Sequence, residues 1–83
     1  MIVEPLRKNK KYSVLIWDDI NKKYKYLLSF GDARYEHFHD RTPLKLYSHL
    51  NHNDLKRRAK YYARHGHSED VNSPKFWSNT FLW

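Results

Sequence analysis

The feature of this sequence best suited to binding a ligand is a run of cations at helical spacing in the segment 53–65. At about 100° per residue, one side of a helix here would carry Lys56, Arg57, Lys60 and Arg64. The opposite side would carry Leu55, Ala59, Tyr62 and Ala63, which predicts an amphipathic helix with a cationic outer face. Cations spread over about two turns suit successive phosphates of a nucleic acid. A helix face that is merely solvated is the alternative.

Other residues are expected to extend this surface. The further cations predicted to contact nucleic acid are Lys22, Lys23 and Lys25 in the middle of the chain, and Lys8, Lys10 and Lys11 near its start. Tyr61, beside Arg58 and His65 on the predicted helix, can add stacking or hydrogen bonds at the edge of the surface. Asp54 precedes Arg58 by four residues, so these two side chains can form an ion pair, which would make Arg58 partly structural.

The overall charge favours an acidic partner. Sixteen Lys and Arg residues against nine Asp and Glu residues give a formal net charge of +7 and an isoelectric point near 9.7. On a chain of 83 residues this imbalance produces a substantial positive field. Many small domains are basic for solubility alone, so the concentration of charge near residues 53–65 is the more informative observation.

A metal site is one alternative, because the chain contains six histidines. The candidate ligands are His37, His39, His52, Asp54, His65 and His67. None of them has a specific metal-binding spacing such as His-Glu-x-x-His, and partly exposed histidines at helix ends explain them more simply. We therefore predict neither a metal site nor a cofactor.

Enzymatic activity is not expected, and no residue is predicted to be catalytic. The absence of cysteine excludes disulfides, thiolate zinc sites and a cysteine nucleophile. The chain also has no Gly-rich phosphate loop, no Ser-His-Asp pattern and no carboxylates paired as acid and base. Residues 49–53 match a His-Asn-His nuclease motif only superficially, so a metal-dependent nuclease ranks third among the functions considered.

The same composition favours an intracellular setting. Nothing in a cysteine-free chain indicates an oxidising compartment. Met1 is followed by Ile-Val-Glu-Pro and then by charges, with no apolar stretch of signal-peptide length and no run that approaches a membrane span. We expect neither secretion by a standard signal nor insertion in a membrane.

Two β-branched and aromatic runs are expected to form the scaffold. Residues 12–17 and 24–30 predict a β-hairpin whose loop, residues 18–23, is longer than a tight turn. Residues 1–11 have no periodicity, which predicts a basic arm that is mobile or lies on a partner. Aromatic residues make up 17% of the chain, and we interpret them first as core area that compensates for small size.

Two short helical segments are predicted directly after the hairpin. Gly31 is expected to break the second strand, and Asp32 to cap a helix over residues 33–38. Thr42 and Pro43 suit the start of a second helical turn that reaches residue 50.

The main helix and a final short helix follow. Asn53 is the predicted cap of the main helix, which runs to His65 and ends at Gly66 in a left-handed conformation. Ser73 and Pro74 suit the start of the final helix. Four large rings in the last eight residues, Phe76, Trp77, Phe81 and Trp83, predict that this end of the chain is docked. The expected fold is α+β, a single small domain over residues 12–83 with a β-hairpin packed against two or three short helices.

A combined pattern of residues also resembles a known family. The matching residues are Ser29-Phe-Gly-Asp32, Tyr35, Asp40-x-Thr-Pro-Leu44, His52-x-Asp54-x-x-Arg57-Arg58-x-x-Tyr61-x-x-Arg64-His65, Ser73, Trp77-Ser78 and Leu82-Trp83. This string resembles short basic proteins encoded by large double-stranded DNA viruses, such as algal and mimivirus-like viruses, and by some phages. The resemblance covers about residues 11–83 and implies a viral origin. Basic viral proteins of this size commonly condense the genome or lie at the inner face of a capsid.

These observations favour sequence-tolerant binding of viral double-stranded DNA, by a genome-associated or packaging protein in the infected host or the virion. The alternative function is a minor virion protein that links capsid subunits, with its basic arm or its aromatic C-terminal segment as the docking element.

Overall fold

A three-stranded antiparallel sheet and two helices make up the computed structural model, which describes residues 1–83. The strands are β1 (Ile2–Val3), β2 (Lys10–Asp18) and β3 (Lys23–Asp32), in the spatial order β1-β2-β3. The helices are α1 (Leu55–His65) and α2 (Pro74–Phe81), and a 3₁₀ turn at Ser48–Leu50 precedes them. The predicted α+β domain, with a hairpin and short helices, is confirmed. Neither helix is long and apolar enough to cross a membrane.

The hydrophobic core lies between the β2–β3 hairpin and the chain segment around α2. Its five buried residues are Tyr12, Val14, Leu28, Phe30 and Leu82. The register pairs Tyr12 with Phe30 and Val14 with Leu28, so these four side chains share one face of the sheet. Beyond Val14 the register shifts at a β-bulge, which strengthens the local twist of the hairpin.

α2 covers the core through two aromatic rings. Ser73 caps the helix by accepting a hydrogen bond from the Lys75 backbone N–H, as predicted. The rings of Trp77 and Phe81 lie 6.2 and 6.4 Å from the ring of Phe30. The expectation that this end of the chain packs against the domain is therefore confirmed.

The prediction that Gly31 ends the second strand of the hairpin is wrong. The strand continues to Asp32, which pairs with Lys10, and Gly31 adopts a φ of +75° within it. A Cβ atom at this position would lie 2.8 Å from Leu82 Cδ1. The glycine thus allows the segment after α2 to approach the sheet closely, which is a different role from breaking a strand.

Residues 1–11 are not a free arm. β1 pairs with β2 through Ile2 and Val14 and through Val3 and Ser13, and the Leu6 backbone N–H donates to Ser13 Oγ at 2.8 Å. Ile2 also packs against the core. The two apolar residues near the start were enough to form an edge strand, so the boundary predicted between residues 11 and 12 does not separate an arm from a domain.

The two helices predicted over residues 33–38 and 42–50 do not form. Asp32 does accept from the Arg34 backbone N–H, but it also binds the Arg34 guanidinium at 2.8 Å and closes a turn. Thr42 does accept from the Lys45 backbone N–H. Lys45 then adopts a φ of +50°, which prevents the helix from continuing. Only the 3₁₀ turn remains.

A buried carboxylate organises this loop instead. Asp40 is fully buried and accepts a hydrogen bond of 2.5 Å from the Tyr12 hydroxyl of the core. It also accepts from the Thr42 hydroxyl at 2.6 Å and from the Tyr47 backbone N–H at 3.2 Å. These bonds hold the pKa of Asp40 below its ordinary value despite its burial, and burial raises the pKa of Tyr12 to about 12. The loop that leads into α1 is therefore fixed to the sheet by polar contacts.

Candidate nucleic-acid interface

Local sequence signals define both ends of α1. Asp54 accepts hydrogen bonds from the Lys56 and Arg57 backbone N–H groups at 2.9 and 3.3 Å, so it is the cap. Asn53, the predicted cap, instead adopts a φ of +53° one residue earlier. Gly66 ends the helix with a φ of +67°, as predicted. The helix bounds therefore agree with the prediction to within two residues.

The inner face of α1 differs from the predicted one. Leu55, Ala59 and Ala63 are exposed, and the half-buried side chains are Arg58, Tyr61 and Tyr62. Helical spacing predicts Ala59 and Ala63 on the apolar face, but two tyrosine rings offer far more area to bury than two methyl groups. The helix is rotated accordingly, and the cationic side remains outward with Lys56, Arg57, Lys60 and Arg64 all exposed.

Arg58 attaches α1 to the rest of the domain and does not pair with Asp54. Its Nε donates to the main-chain oxygen of Trp83 at 2.5 Å. Its guanidinium carbon lies 5.1 Å from the Phe38 ring centroid and 5.5 Å from that of Tyr62. Arginine commonly combines a hydrogen bond with contacts to aromatic faces in this way. The predicted ion pair is therefore wrong, because Asp54 caps the helix. The expectation that Arg58 is partly structural is confirmed.

Tyr61 is also used within the chain. Its ring stacks on that of Trp83 with a centroid distance of 4.2 Å and an interplanar angle of 4°. Burial raises the pKa of Tyr61 to about 12. The ring predicted to stack on nucleic acid therefore supports Trp83, and the ring closer to the cations is that of Trp83.

A groove beside α1 is lined by three of the four cations on the outer side of the helix. It has a volume of about 400 Å³ and is lined by Arg57, Lys60, Ala63, Arg64 and Trp83. We call it the α1 groove. No Asp or Glu side chain lines it, and of its three cations only Arg57 has an acidic side chain as partner, Glu36 at 3.1 Å. The groove thus combines three cations with an indole ring, and it can accept an anionic group beside an apolar or aromatic one.

Sequence reasoning did not assign Trp83 to this surface. Four large rings in the last eight residues predict that this segment is docked, but they do not predict which element it contacts. The contacts of Trp83 with α1 involve Arg58 and Tyr61, which lie more than twenty residues away along the chain.

No protein-family model, no curated protein and no solved structure matches this chain. The resemblance to proteins of large DNA viruses therefore stays a prediction.

The other predicted cations are distributed over two regions. Lys22, Lys23 and Lys25 are exposed on the hairpin, where Lys22 Nζ lies 3.8 Å from Asp19 Oδ1. Lys8 and Lys10 are exposed near the start of the sheet. The structure does not bring either group into the α1 groove.

Lys11 is a correction, because it is only 2% exposed and cannot reach a ligand at the surface. β2 begins at Lys10, and the side chain of Lys11 turns inward to His37, with 2.7 Å between Lys11 Nζ and His37 Nδ1. An ammonium group can only donate, so His37 Nδ1 accepts and His37 Nε2 carries the proton. That Nε2 donates to Asn51 Oδ1 at 2.6 Å. Burial lowers the pKa of Lys11 to about 8 and, together with the charge of Lys11, lowers that of His37 to about 4.

The histidines are dispersed among separate local contacts. His39 Nδ1 lies 3.0 Å from Asn53 Oδ1, and His52 Nδ1 accepts from the Asp54 backbone N–H at 2.9 Å. His65 packs on Tyr61, and His67 stacks on Tyr62. No three histidine or carboxylate side chains of the chain are grouped so that they could hold a metal ion.

Proposed function

We propose that this chain binds double-stranded DNA with little sequence preference, through phosphate contacts from the outer side of α1 and the α1 groove. The observation that carries the proposal is the convergence of Arg57, Lys60 and Arg64 on one groove that no Asp or Glu side chain lines. Phosphate contacts of lysine and arginine provide most of the affinity of sequence-tolerant DNA binding.

The shape of α1 supports the same proposal. Ala59 and Ala63 lie exposed among the cations, so small side chains leave room for the helix to approach a phosphate backbone or a groove. Lys60 and Arg64 have no carboxylate within ion-pair distance. Their charges are therefore free to displace counterions from DNA.

The exposed lysines of the hairpin and the start of the sheet extend the positive field beyond the groove. Lys23, Lys25, Lys8 and Lys10 also lack a carboxylate within ion-pair distance. A viral genome-associated or packaging role, inside the infected host or the virion, is the biological setting that we propose from the family resemblance.

Matched charge reversals test the proposal. Lys60→Glu with Arg64→Glu should weaken binding to a random-sequence duplex in a fluorescence anisotropy titration, and should reduce the salt slope by about 0.9 for each phosphate that the variant no longer neutralises. Arg41→Glu with Lys45→Glu makes the same change of net charge in the loop before α1, and should weaken binding much less. Thermal unfolding of both variants verifies that the fold is intact.

Two results would contradict this proposal. Equal losses in the two double variants would show that net charge, and not α1, determines affinity. Absence of measurable binding of the unaltered protein to duplex or single-stranded DNA at low salt, where electrostatic contacts are strongest, would leave an acidic protein surface as the partner. The capsid-linking function would then replace DNA binding.

A further inference from the structure

The outer half of the hairpin, residues 15–18 and 23–27, carries three exposed aromatic rings. Trp17 is 51% exposed, Tyr24 49% and Tyr26 38%. The register places Trp17 opposite Tyr24, and their ring centroids are 5.2 Å apart. Strand alternation puts Tyr24 and Tyr26 on the same side of β3. The three rings therefore form one surface, which we call the aromatic face.

Hydrogen bonds hold two of these rings in place while their surfaces stay open to solvent. Trp17 Nε1 donates to Asp19 Oδ1 at 2.9 Å. The Tyr26 hydroxyl lies 2.9 Å from Ser29 Oγ and accepts from Arg7 Nε at 3.4 Å. The polar atoms of these two side chains are thus satisfied within the chain, and what remains for a ligand is flat apolar area that is already oriented.

The charges around the aromatic face favour an anionic ligand. Asp18 at the hairpin turn is occupied by hydrogen bonds from the Ile20 and Asn21 backbone N–H groups and from the Asn21 side chain. Asp19, which accepts from Trp17, has Lys22 Nζ at 3.8 Å as a counter-charge. Lys23 and Lys25 alternate with Tyr24 and Tyr26 along β3, so they add to the positive field from the opposite side of the sheet. The guanidinium carbon of Arg7 lies 5.1 Å from the Tyr26 ring centroid.

We propose that the aromatic face binds unpaired nucleotides, with bases stacked on Trp17, Tyr24 and Tyr26 and with phosphates held by Arg7 beside them. Exposed rings interleaved with cations are the general means of holding a single strand without base preference. A duplex cannot use the face in this way, because its bases are already stacked on one another. The inference rests on the proposed affinity for nucleic acid but assigns single strands to a second surface, separate from the α1 groove.

The test compares a thymidine oligonucleotide with a duplex of equal length, using the full chain. Trp17→Ala should weaken binding of the oligonucleotide by about 5- to 100-fold, which is the range for loss of one stacked base, and should leave duplex binding unchanged. Trp17→Phe keeps a ring and should retain most of the affinity, while losing the Trp17 part of the fluorescence quenching on binding. Ile20→Ala removes a side chain that is 91% exposed at the same turn, and it serves as the control.

The outcomes separate this inference from the function proposed for α1. Loss of oligonucleotide binding in Trp17→Ala, with duplex binding retained, supports the aromatic face whatever the α1 variants show. Unchanged oligonucleotide affinity in Trp17→Ala, or an equal loss in Ile20→Ala, would overturn the inference and indicate that the rings meet a protein partner. Failure of the α1 charge reversal alone would overturn only the duplex proposal.

Discussion

The two halves of the β2–β3 hairpin are built from similar residues but have opposite environments. In the inner half, Tyr12 and Phe30 are fully buried and pack 5.8 Å apart beneath α2. In the outer half, Trp17 and Tyr24 form a similar cross-strand pair at 5.2 Å and are about half exposed. Cross-strand aromatic pairing is thus common to both halves, and burial distinguishes them.

The difference comes from what covers each half. α2 lies over Phe30, and Asp40 accepts from the Tyr12 hydroxyl. Trp17 is five residues after Tyr12 on β2, so it lies on the opposite face of the sheet and stays 51% exposed. An aromatic-rich sequence therefore does not indicate a correspondingly large core. Rings that a small domain leaves uncovered and yet holds in position are candidates for binding.

The largest expected effect of a single substitution is in the inner half. Phe30→Ala should reduce the free energy of unfolding by about 3–5 kcal/mol, because it removes a buried ring on which Tyr12, Trp77 and Phe81 pack. Urea denaturation followed by circular dichroism measures the loss. Tyr24→Ala, on the same strand, should cost much less. Similar costs for the two variants would contradict the division of the hairpin into a structural and an exposed half.

The free energy of unfolding should depend on pH because of the buried pair of His37 and Lys11, of which Lys11 belongs to the inner half of the hairpin. The pKa of His37 is lowered from 6.5 to about 4, so between these values the unfolded chain binds a proton that the folded chain does not. Stability from this group is therefore fully present above pH 6.5 and is lost as the pH falls to about 4. The expected loss is about 3 kcal/mol, measured as urea midpoints across this range.

A glutamine at position 37 provides the matched control for that titration. His37→Gln can still accept from Lys11 and donate to Asn51, but it does not titrate. The variant should lose most of the dependence between pH 6.5 and 4, while Trp17→Ala should keep it. An unchanged pH dependence in His37→Gln would assign acid sensitivity to other groups, with His52, whose pKa burial lowers from 6.5, the next candidate.

The sequence predicted the elements whose signals are local. The strands of the hairpin, the Gly66 end of α1 and the Ser73-Pro74 start of α2 all depend on neighbouring residues, and each was predicted correctly. The loop between β3 and α1 was not, because its conformation depends on bonds between residues such as Tyr12 and Asp40 that are far apart in the chain. Helix caps at Asp32 and Thr42 were chemically reasonable, but this network fixed the backbone differently.

The residues of the candidate site were likewise predicted only in part. Helical spacing correctly placed Lys60 and Arg64 on an outer side, since that depends on the helix alone. Which rings pack beneath a helix depends on residues far away in the chain. Tyr61, expected at the open surface, therefore stacks on Trp83, and the docked Trp83 lines the α1 groove. Lys11 was counted as surface charge because a sequence does not show which lysine of a strand meets a buried histidine.

The smallest expected effect on stability is in the outer half, at Trp17. Trp17→Ala removes one exposed cross-strand ring pair with Tyr24 and one hydrogen bond to Asp19, so we expect a loss of about 1 kcal/mol or less. Urea denaturation under the conditions used for Phe30→Ala gives the comparison directly. A loss close to that of Phe30→Ala would mean that Trp17 is a structural residue. The position of its ring would then be explained by stability, without a ligand. A small loss combined with weakened oligonucleotide binding would instead separate function from stability within one hairpin.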